Sequence, residues 1–166
     1  MYASKHRASA LALLVGGATV VAINTPGVAT ASDGATLVPF VSKFRNCSFQ
    51  QTHWVSATGT GSGDALIGTN SGGVTADVRL ATAEPNMRYT VRLIQVPRAP
   101  ERTCTAGDRG VAVGELFTDA NGTGTTKVYG PLLEGATGAW VSVDGPPKSG
   151  RVIGEFYTSE FLASLA

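Results

Sequence analysis

The chain has 166 residues, enough for one domain of ordinary size, and 15% of them are charged. Its 21 glycines and 8 prolines favour a turn-rich β protein over a helical bundle, which would need more Glu, Lys and Leu. The formal net charge of +1 gives no electrostatic footprint for nucleic acid or an anionic membrane, so we expect neither as a partner.

Residues 1–31 have the three parts of a secretory signal peptide. Basic residues precede an apolar run over residues 10–23, and Ala29 and Ala31 supply the small side chains that a signal peptidase needs before Ser32. We therefore predict a signal peptide over 1–31 and a secreted domain over 32–166. The alternative is an uncleaved membrane anchor. Its 14 apolar residues would span about 21 Å as a helix, short of the roughly 30 Å hydrocarbon core, so we expect no stable membrane insertion after cleavage.

The first predicted strands lie at residues 35–41 and 48–57. Between them and the next clear pattern, residues 58–73 are rich in Gly, Ser and Thr. This composition predicts a long loop that holds at most a short strand at 65–67.

Two segments alternate clearly between apolar and polar residues, at 74–80 and 88–93. The predicted buried set consists of Val74, Ala76, Val78 and Leu80 in the first segment and Tyr89, Val91 and Leu93 in the second. Residues 83–86 have the composition of a turn, so we predict that the two strands pair as a hairpin. Matching their apolar faces places Leu80 opposite Tyr89 and Asp77 opposite Arg92.

A second hairpin is predicted from strands at 111–118 and 125–129, because the Asn-Gly pair within residues 119–124 is the strongest short-range hairpin signal. The same residues resemble the start of a calcium loop, but its twelfth position is Gly130 where a bidentate glutamate is required. We therefore interpret them as an ordinary turn. Further strands are predicted at 138–143 and 151–158, followed by a brief helical turn or a frayed end.

Cys47 and Cys104 are the only cysteines. In an exported chain an even, small count indicates a disulfide. The alternative, a reactive thiol, lacks a CxxC spacing or a cationic helix start nearby. Together with seven or eight short strands, this predicts an all-β fold, a small single-domain β-sandwich of the immunoglobulin-like, Greek-key type closed by one disulfide.

The sequence offers no recognisable catalytic set. After the leader, His53 is the one histidine, and it has neither a GxSxG elbow for a serine triad nor partners for a metal site. We therefore predict no catalytic residues, no metal and no cofactor, and interpret His53 as structural or exposed. Paired Asp or Glu residues for glycoside hydrolysis stay an alternative, although no pair stands out.

Two binding chemistries are open to the predicted loops and strands. Arg98, Arg102 and Arg109 could hold an anion, but we interpret them as part of a solvated loop held at Cys104. A sugar-stacking platform is the other option for the larger aromatic residues, for which core packing is the preferred interpretation. These residues are Trp54, Trp140, Tyr89, Tyr129 and Tyr157.

Residues 89–95, Cys104 and the stretch 113–124 together resemble small exported actinobacterial proteins of the mycobacterial type, whose function is unassigned. The resemblance implies a secreted or envelope-associated protein and carries no catalytic residues. Our hypothesis is thus a secreted or cell-envelope-associated, non-catalytic interaction module that binds a protein or cell-envelope ligand. A secreted hydrolase that uses paired Asp and Glu is the alternative, and a purely structural envelope protein is a third.

Overall fold

The computed structural model describes residues 34–165 and is built entirely of antiparallel strands and loops, without a helix among those residues. The strands are β1 (Thr36–Val41), β2 (Ser62–Asn70), β3 (Gly73–Ala81), β4 (Arg88–Val96), β5 (Val111–Phe117), β6 (Gly124–Pro131), β7 (Gly138–Asp144), β8 (Phe156–Ser159) and β9 (Ala163–Ser164). The predicted all-β class with one disulfide is confirmed.

The strands form two sheets that share β1. The first sheet has the order β1–β2–β3–β6 and the second the order β5–β4–β7–β8, with β9 added beside β7. The first four residues of β1 pair with β2, whereas Phe40 and Val41 pair with β8, so β1 closes one side of the sandwich. The connections β3–β4, β5–β6 and β6–β7 cross between the sheets, as in Greek-key sandwiches.

The opposite side of the sandwich closes through small side chains of β5 and β6. A Cβ atom added at Gly114 would lie 2.9 Å from Val128, and one added at Gly130 would lie 2.8 Å from Ala112. Such distances leave no room for a larger residue at either glycine, so the two edge strands meet by close approach of their inner faces.

The main core lies between the sheets. The alternation predicted for β3 and β4 is confirmed, because Val74, Ala76, Val78 and Leu80 are buried and face Tyr89, Val91 and Leu93 across the core. Asp77 and Arg79 lie on the outer face of the first sheet, where they form ion pairs with Lys127 and Asp64.

The outer face of the second sheet is also covered. Ile94, Val96 and Trp140 pack there against Phe49 and the Cys47–Cys104 disulfide. The ring centroids of Phe49 and Trp140 are 5.5 Å apart. This second cluster explains why β7 is buried on both faces, as strands are when layers cover both sides of a sheet.

The predicted hairpin of residues 74–80 with 88–93 is wrong. β3 pairs with β2 and β6, and β4 pairs with β5 and β7, so the two strands belong to different sheets. The predicted Asp77–Arg92 pair does not form, since Arg92 pairs with Asp144 at 2.6 Å. The prediction required only that the apolar faces of the two strands meet. Strands of different sheets that face each other across a core also meet this requirement, and this is the arrangement found.

The second predicted hairpin is right in its strands and turn and wrong in its pairing. Asp119 Oδ1 accepts hydrogen bonds from the backbone N–H groups of Asn121 and Thr123, which confirms the turn interpretation of this loop. However, β5 pairs with β4 and β6 with β3, so the chain crosses from one sheet to the other here.

Four further segments differ from the sequence prediction. Residues 48–57 form no strand and contribute only a single bridge between Arg45 and Gln51, whereas β2 occupies much of the predicted 58–73 loop. The predicted strand at 151–158 is confined to Phe156–Ser159, and the chain then adds β9 in place of a helical turn. Glycine and serine weaken strand propensity, but the pairing of β2 with β3 along its whole length, and with β1 at residues 64–67, overrides it.

Candidate functional site

Four loops converge at one end of the sandwich, which we call the loop end: residues 52–61, 82–87, 118–123 and 145–155. Hydrogen bonds join them. The N–H of Ala83 donates to the carbonyl of Gly122 at 3.1 Å, and the Thr58 hydroxyl donates to the carbonyl of Gly154 at 2.7 Å. The loop end is therefore a connected surface, in which each loop is fixed by a neighbour.

A buried carboxylate fastens three of these loops from below. The Glu155 residue is 8% exposed, and its two carboxylate oxygens accept hydrogen bonds from the hydroxyls of Tyr89 and Tyr157. The backbone N–H of Glu84 also donates to Glu155 at 3.2 Å, and that of Gly61 donates to the Tyr157 hydroxyl at 2.9 Å. Buried polar groups satisfied in this way hold a defined geometry.

The same network shifts the titration of its phenols. Burial raises the pKa of Tyr89 and of Tyr157 well above the usual 10.0, and the hydrogen bonds to Glu155 raise it further. Both phenols therefore stay protonated, and remain donors to the carboxylate, at every physiological pH.

Stability is expected to fall as the pH rises above 10.0, the pKa of an unperturbed phenol. The folded pKa of each phenol is raised, so the unfolded chain releases protons in this range that the folded domain retains, and unfolding becomes more favourable. Denaturant unfolding from about pH 8 to about pH 11 measures this decline. The double variant Tyr89→Phe/Tyr157→Phe should show a shallower decline, and Tyr129→Phe, at a residue 58% exposed, should match the unmodified protein. An equal decline in all three proteins would contradict the network.

A groove of about 380 Å³ runs above the network. Its lining includes Thr58, Thr60 and Thr82 and the carboxylates of Glu84 and Glu155. Glu84 is paired with Lys148 at 2.5 Å, and Glu155 is occupied by the two phenols. Each carboxylate thus already has a partner, and the arrangement positions loops more directly than it presents a free acid or base.

An exposed apolar surface, which we call the tryptophan tip, lies on the same end. Trp54 is 80% exposed and Val152 is 93% exposed, and both line a shallow depression of about 280 Å³ together with Val55, Ile153 and Arg151. Core packing was the prediction for Trp54, and it is wrong. The outer face of the second sheet is already filled by Phe49 and Trp140, and the chain turns away after Thr52, whose N–H donates to Phe44.

The remaining predicted aromatic residues divide between core and surface. Trp140, Tyr89 and Tyr157 are buried, which confirms core packing for these three. Tyr129 is exposed on the outer face of the first sheet, so core packing is wrong for it as well. His53 is exposed beside Gln51 and lies in a loop, because the strand predicted at residues 48–57 does not form.

The structure joins Cys47 and Cys104, as predicted, with their Cα atoms 5.6 Å apart. The loop that contains Cys104 also contains Arg98, Arg102 and Arg109, at the end of the sandwich opposite the loop end. The cleavage-site residues Ala29, Ala31 and Ser32 lie outside the described residues.

The sequence did not predict the hydrogen bonds from Tyr89 and Tyr157 to Glu155. Two signals were present in the sequence. Tyr89 was predicted to be buried, and a buried phenol needs a hydrogen-bond partner. Glu155 stands between Ile153 and the Phe156-Tyr157 pair, an apolar setting in which an acidic residue usually has a specific partner.

No protein-family model, curated protein or solved structure matches this chain. Among residues 34–165, no group of three or more His, Cys, Asp or Glu side chains is placed to hold a metal ion. The part of the chain that the structure describes has no helix long and apolar enough to cross a membrane.

Proposed function

We propose that the protein is exported after cleavage following Ala31 and acts as a non-catalytic binding module in the cell envelope or outside the cell. The Cys47–Cys104 disulfide supports export, because disulfides persist in oxidising compartments. The signal-peptide pattern of residues 1–31 and the resemblance to small exported actinobacterial proteins agree with it.

The tryptophan tip carries the binding proposal. Trp is enriched among the residues that dominate protein interfaces, and the side chains of Trp54 and Val152 are left largely exposed by the folded domain. The Glu155 network below keeps the supporting loops fixed, which lowers the entropy cost of binding. These features favour a protein partner in the envelope whose apolar cavity accepts the indole ring.

The charge around the tryptophan tip specifies the rim of that partner. Arg151 lines the tip and forms no ion pair with any residue in the described range 34–165. An acidic residue at the rim of the partner's cavity would form an ion pair with Arg151. Such pairs at the rim of an interface mainly accelerate association and set specificity.

Trp54→Ala should weaken retention of the protein by envelope fractions of the producing cells by about thirty-fold, the effect of losing one interface hot spot. Saturable binding of purified labelled protein to these fractions measures it. Tyr129→Ala removes another exposed aromatic residue and should change retention by less than about two-fold. Both variants should unfold at the same denaturant concentration as the unmodified protein.

The same assay distinguishes the class of partner. Protease treatment of the envelope should abolish retention, and digestion of its glycans should leave retention intact. Retention that survives protease would contradict a protein partner, and equal retention of Trp54→Ala and unmodified protein would contradict the tryptophan tip as the binding site.

One observation favours the hydrolase alternative, since Glu84 and Glu155 line a common groove, as a pair of glycosidase carboxylates would. Envelope glycans incubated with the protein test it directly. Turnover that is lost in Glu84→Gln without loss of stability would establish the enzyme. We expect no turnover, because both carboxylates are already engaged by Lys148 or by phenols.

A further inference from the structure

A second candidate site lies at the end of the sandwich opposite the loop end. Residues 97–110, which connect β4 to β5, border a depression of about 570 Å³ that also touches the segment after β6. We call it the arginine pocket, and its lining residues used below are Pro97, Arg98, Ala99, Arg102, Arg109 and Leu133.

The loop around the arginine pocket is held in one conformation by its own polar groups. Arg98, whose side chain is 10% exposed, donates to the carbonyls of Thr103 at 2.8 Å and Arg109 at 2.7 Å. The Asp108 carboxylate accepts from the N–H and hydroxyl of Thr105 and from the Thr103 hydroxyl. These bonds, that of the Thr105 N–H foremost, lower the pKa of Asp108, which therefore stays charged 3.8 Å from Arg98.

The disulfide adds a covalent anchor to this loop. Cys104 stands between Arg102 and Asp108 in the loop and is bonded to Cys47 on the outer face of the second sheet. Arg92 of β4 donates to the Cys104 carbonyl at 3.3 Å. The loop is thus preorganised before any ligand arrives, which is what a binding site needs to avoid an ordering cost.

Two guanidinium groups in the pocket are left without an acidic partner. Four other arginines of the domain pair with carboxylates: Arg79, Arg88, Arg92 and Arg98. Arg102 and Arg109 are exposed, and within residues 34–165 neither forms an ion pair or a side-chain hydrogen bond. Asp108 is paired with Arg98, so Glu134 is the one other acidic residue that lines the pocket together with Arg102 and Arg109.

We propose that the arginine pocket binds an organic molecule through one carboxylate or phosphate group held by Arg102 and Arg109. A guanidinium presents parallel N–H donors that match the two oxygens of either group. The pocket volume lies within the roughly 300–1,000 Å³ of small-molecule sites, and Pro97, Ala99 and Leu133 add apolar surface for the body of the ligand.

Glu134 narrows the ligand class. It lines the pocket with a negative charge, so a ligand with several anionic groups is repelled, whereas a hydroxyl beside the acidic group can donate to it. A sugar that carries one carboxylate or one phosphate combines both features. This site lies on a different surface from the tryptophan tip and does not depend on the proposed function.

Calorimetric titration of the purified, disulfide-bonded protein tests the proposal with four probes: glucuronate, glucose 6-phosphate, inorganic phosphate and uncharged glucose. We expect saturable binding of at least one of the two sugar acids and none of glucose. Inorganic phosphate should bind at least about ten-fold more weakly than the better sugar acid, since it leaves the apolar surface and Glu134 unused. Which sugar acid binds better distinguishes the carboxylate from the phosphate source.

Arg102→Ala and Arg109→Ala should each weaken binding of the better probe by about ten-fold or more, because each removes a charge-assisted hydrogen-bonding pair. Arg102→Lys should weaken it measurably, since an ammonium keeps the charge and loses the fork. Arg151→Ala is the matched control, an arginine without an ion partner among the described residues but at the loop end, and it should leave affinity unchanged.

Two results would overturn the proposal. One is that neither sugar acid shows saturable binding at concentrations up to about 10 mM, since a dissociation constant above this value is too weak for a specific site. The other is an equal loss of affinity in Arg151→Ala and Arg102→Ala, which would show attraction to net charge alone. The substituted side chains are exposed, so each variant should unfold like the unmodified protein, and unfolding curves verify this.

Discussion

Replacing Cys47 and Cys104 together by serine is expected to lower the free energy of unfolding by about 4 kcal/mol. The bridge joins residues 57 positions apart, and cross-linking a loop of this length removes that much chain entropy from the unfolded state. The loss is a large share of the roughly 5–15 kcal/mol that holds a typical domain together. For a domain of this size it corresponds to a fall in Tm of about 15 °C.

The structure adds a reason for the double variant to lose at least this much stability. The two sulfurs form part of the cluster with Ile94, Trp140 and Phe49 that covers the second sheet, so serine hydroxyls would replace apolar contacts there. Urea unfolding of the double variant, beside unmodified protein with and without reductant, measures the effect. Reduced protein should lose the chain-entropy contribution, and the double variant should lose somewhat more, because it also loses the apolar contacts of the sulfurs. A loss below about 1 kcal/mol in both would show that the covering loops are held without the bridge.

Glu155→Ala is expected to cost about 3 kcal/mol, the second largest effect. The substitution leaves the buried hydroxyls of Tyr89 and Tyr157 without their acceptor and removes one partner of the Glu84 N–H. Each such orphaned donor costs on the order of 1–3 kcal/mol, partly offset where water enters from the groove.

Two companion variants identify the cause. Glu155→Gln keeps one acceptor oxygen and the side-chain volume, and should lose about half as much stability as Glu155→Ala. Glu134→Ala removes an exposed carboxylate at the other end of the sandwich and should change stability by less than about 0.5 kcal/mol. Hydrogen exchange should accelerate in residues 52–61 and 145–155 of Glu155→Ala. Equal stability of the Ala and Gln variants would show that the hydrogen bonds contribute little.

Local pattern was enough to place most strands and the faces they bury. Residues 74–80 and 88–93 alternate as the structure has them, because side chains in a strand change face at every residue. The partners of these strands were not predictable from alternation. Asp77 and Arg92 have complementary charges, yet they lie in different sheets, and each finds its partner on a strand distant in sequence, Lys127 and Asp144.

The candidate sites depended on tertiary context that a single sequence does not carry. Trp54 is exposed because Phe49 and Trp140 already fill the surface it would otherwise cover. Glu155 accepts hydrogen bonds from two phenols only because β4 and β8 place Tyr89 and Tyr157 on either side of it. The disulfide, in contrast, followed from cysteine count and the expected compartment alone.

The measurement that tests the account most directly is intact-mass spectrometry of the protein recovered from the medium and envelope of producing cells, alkylated before and after reduction. A chain that begins at Ser32, and whose two sulfurs take up the alkylating agent only after reduction, is the predicted result. A polypeptide that retains residue 1, remains in the cytoplasm and is alkylated at both Cys47 and Cys104 without reductant would contradict export, and with it the proposed extracellular binding role.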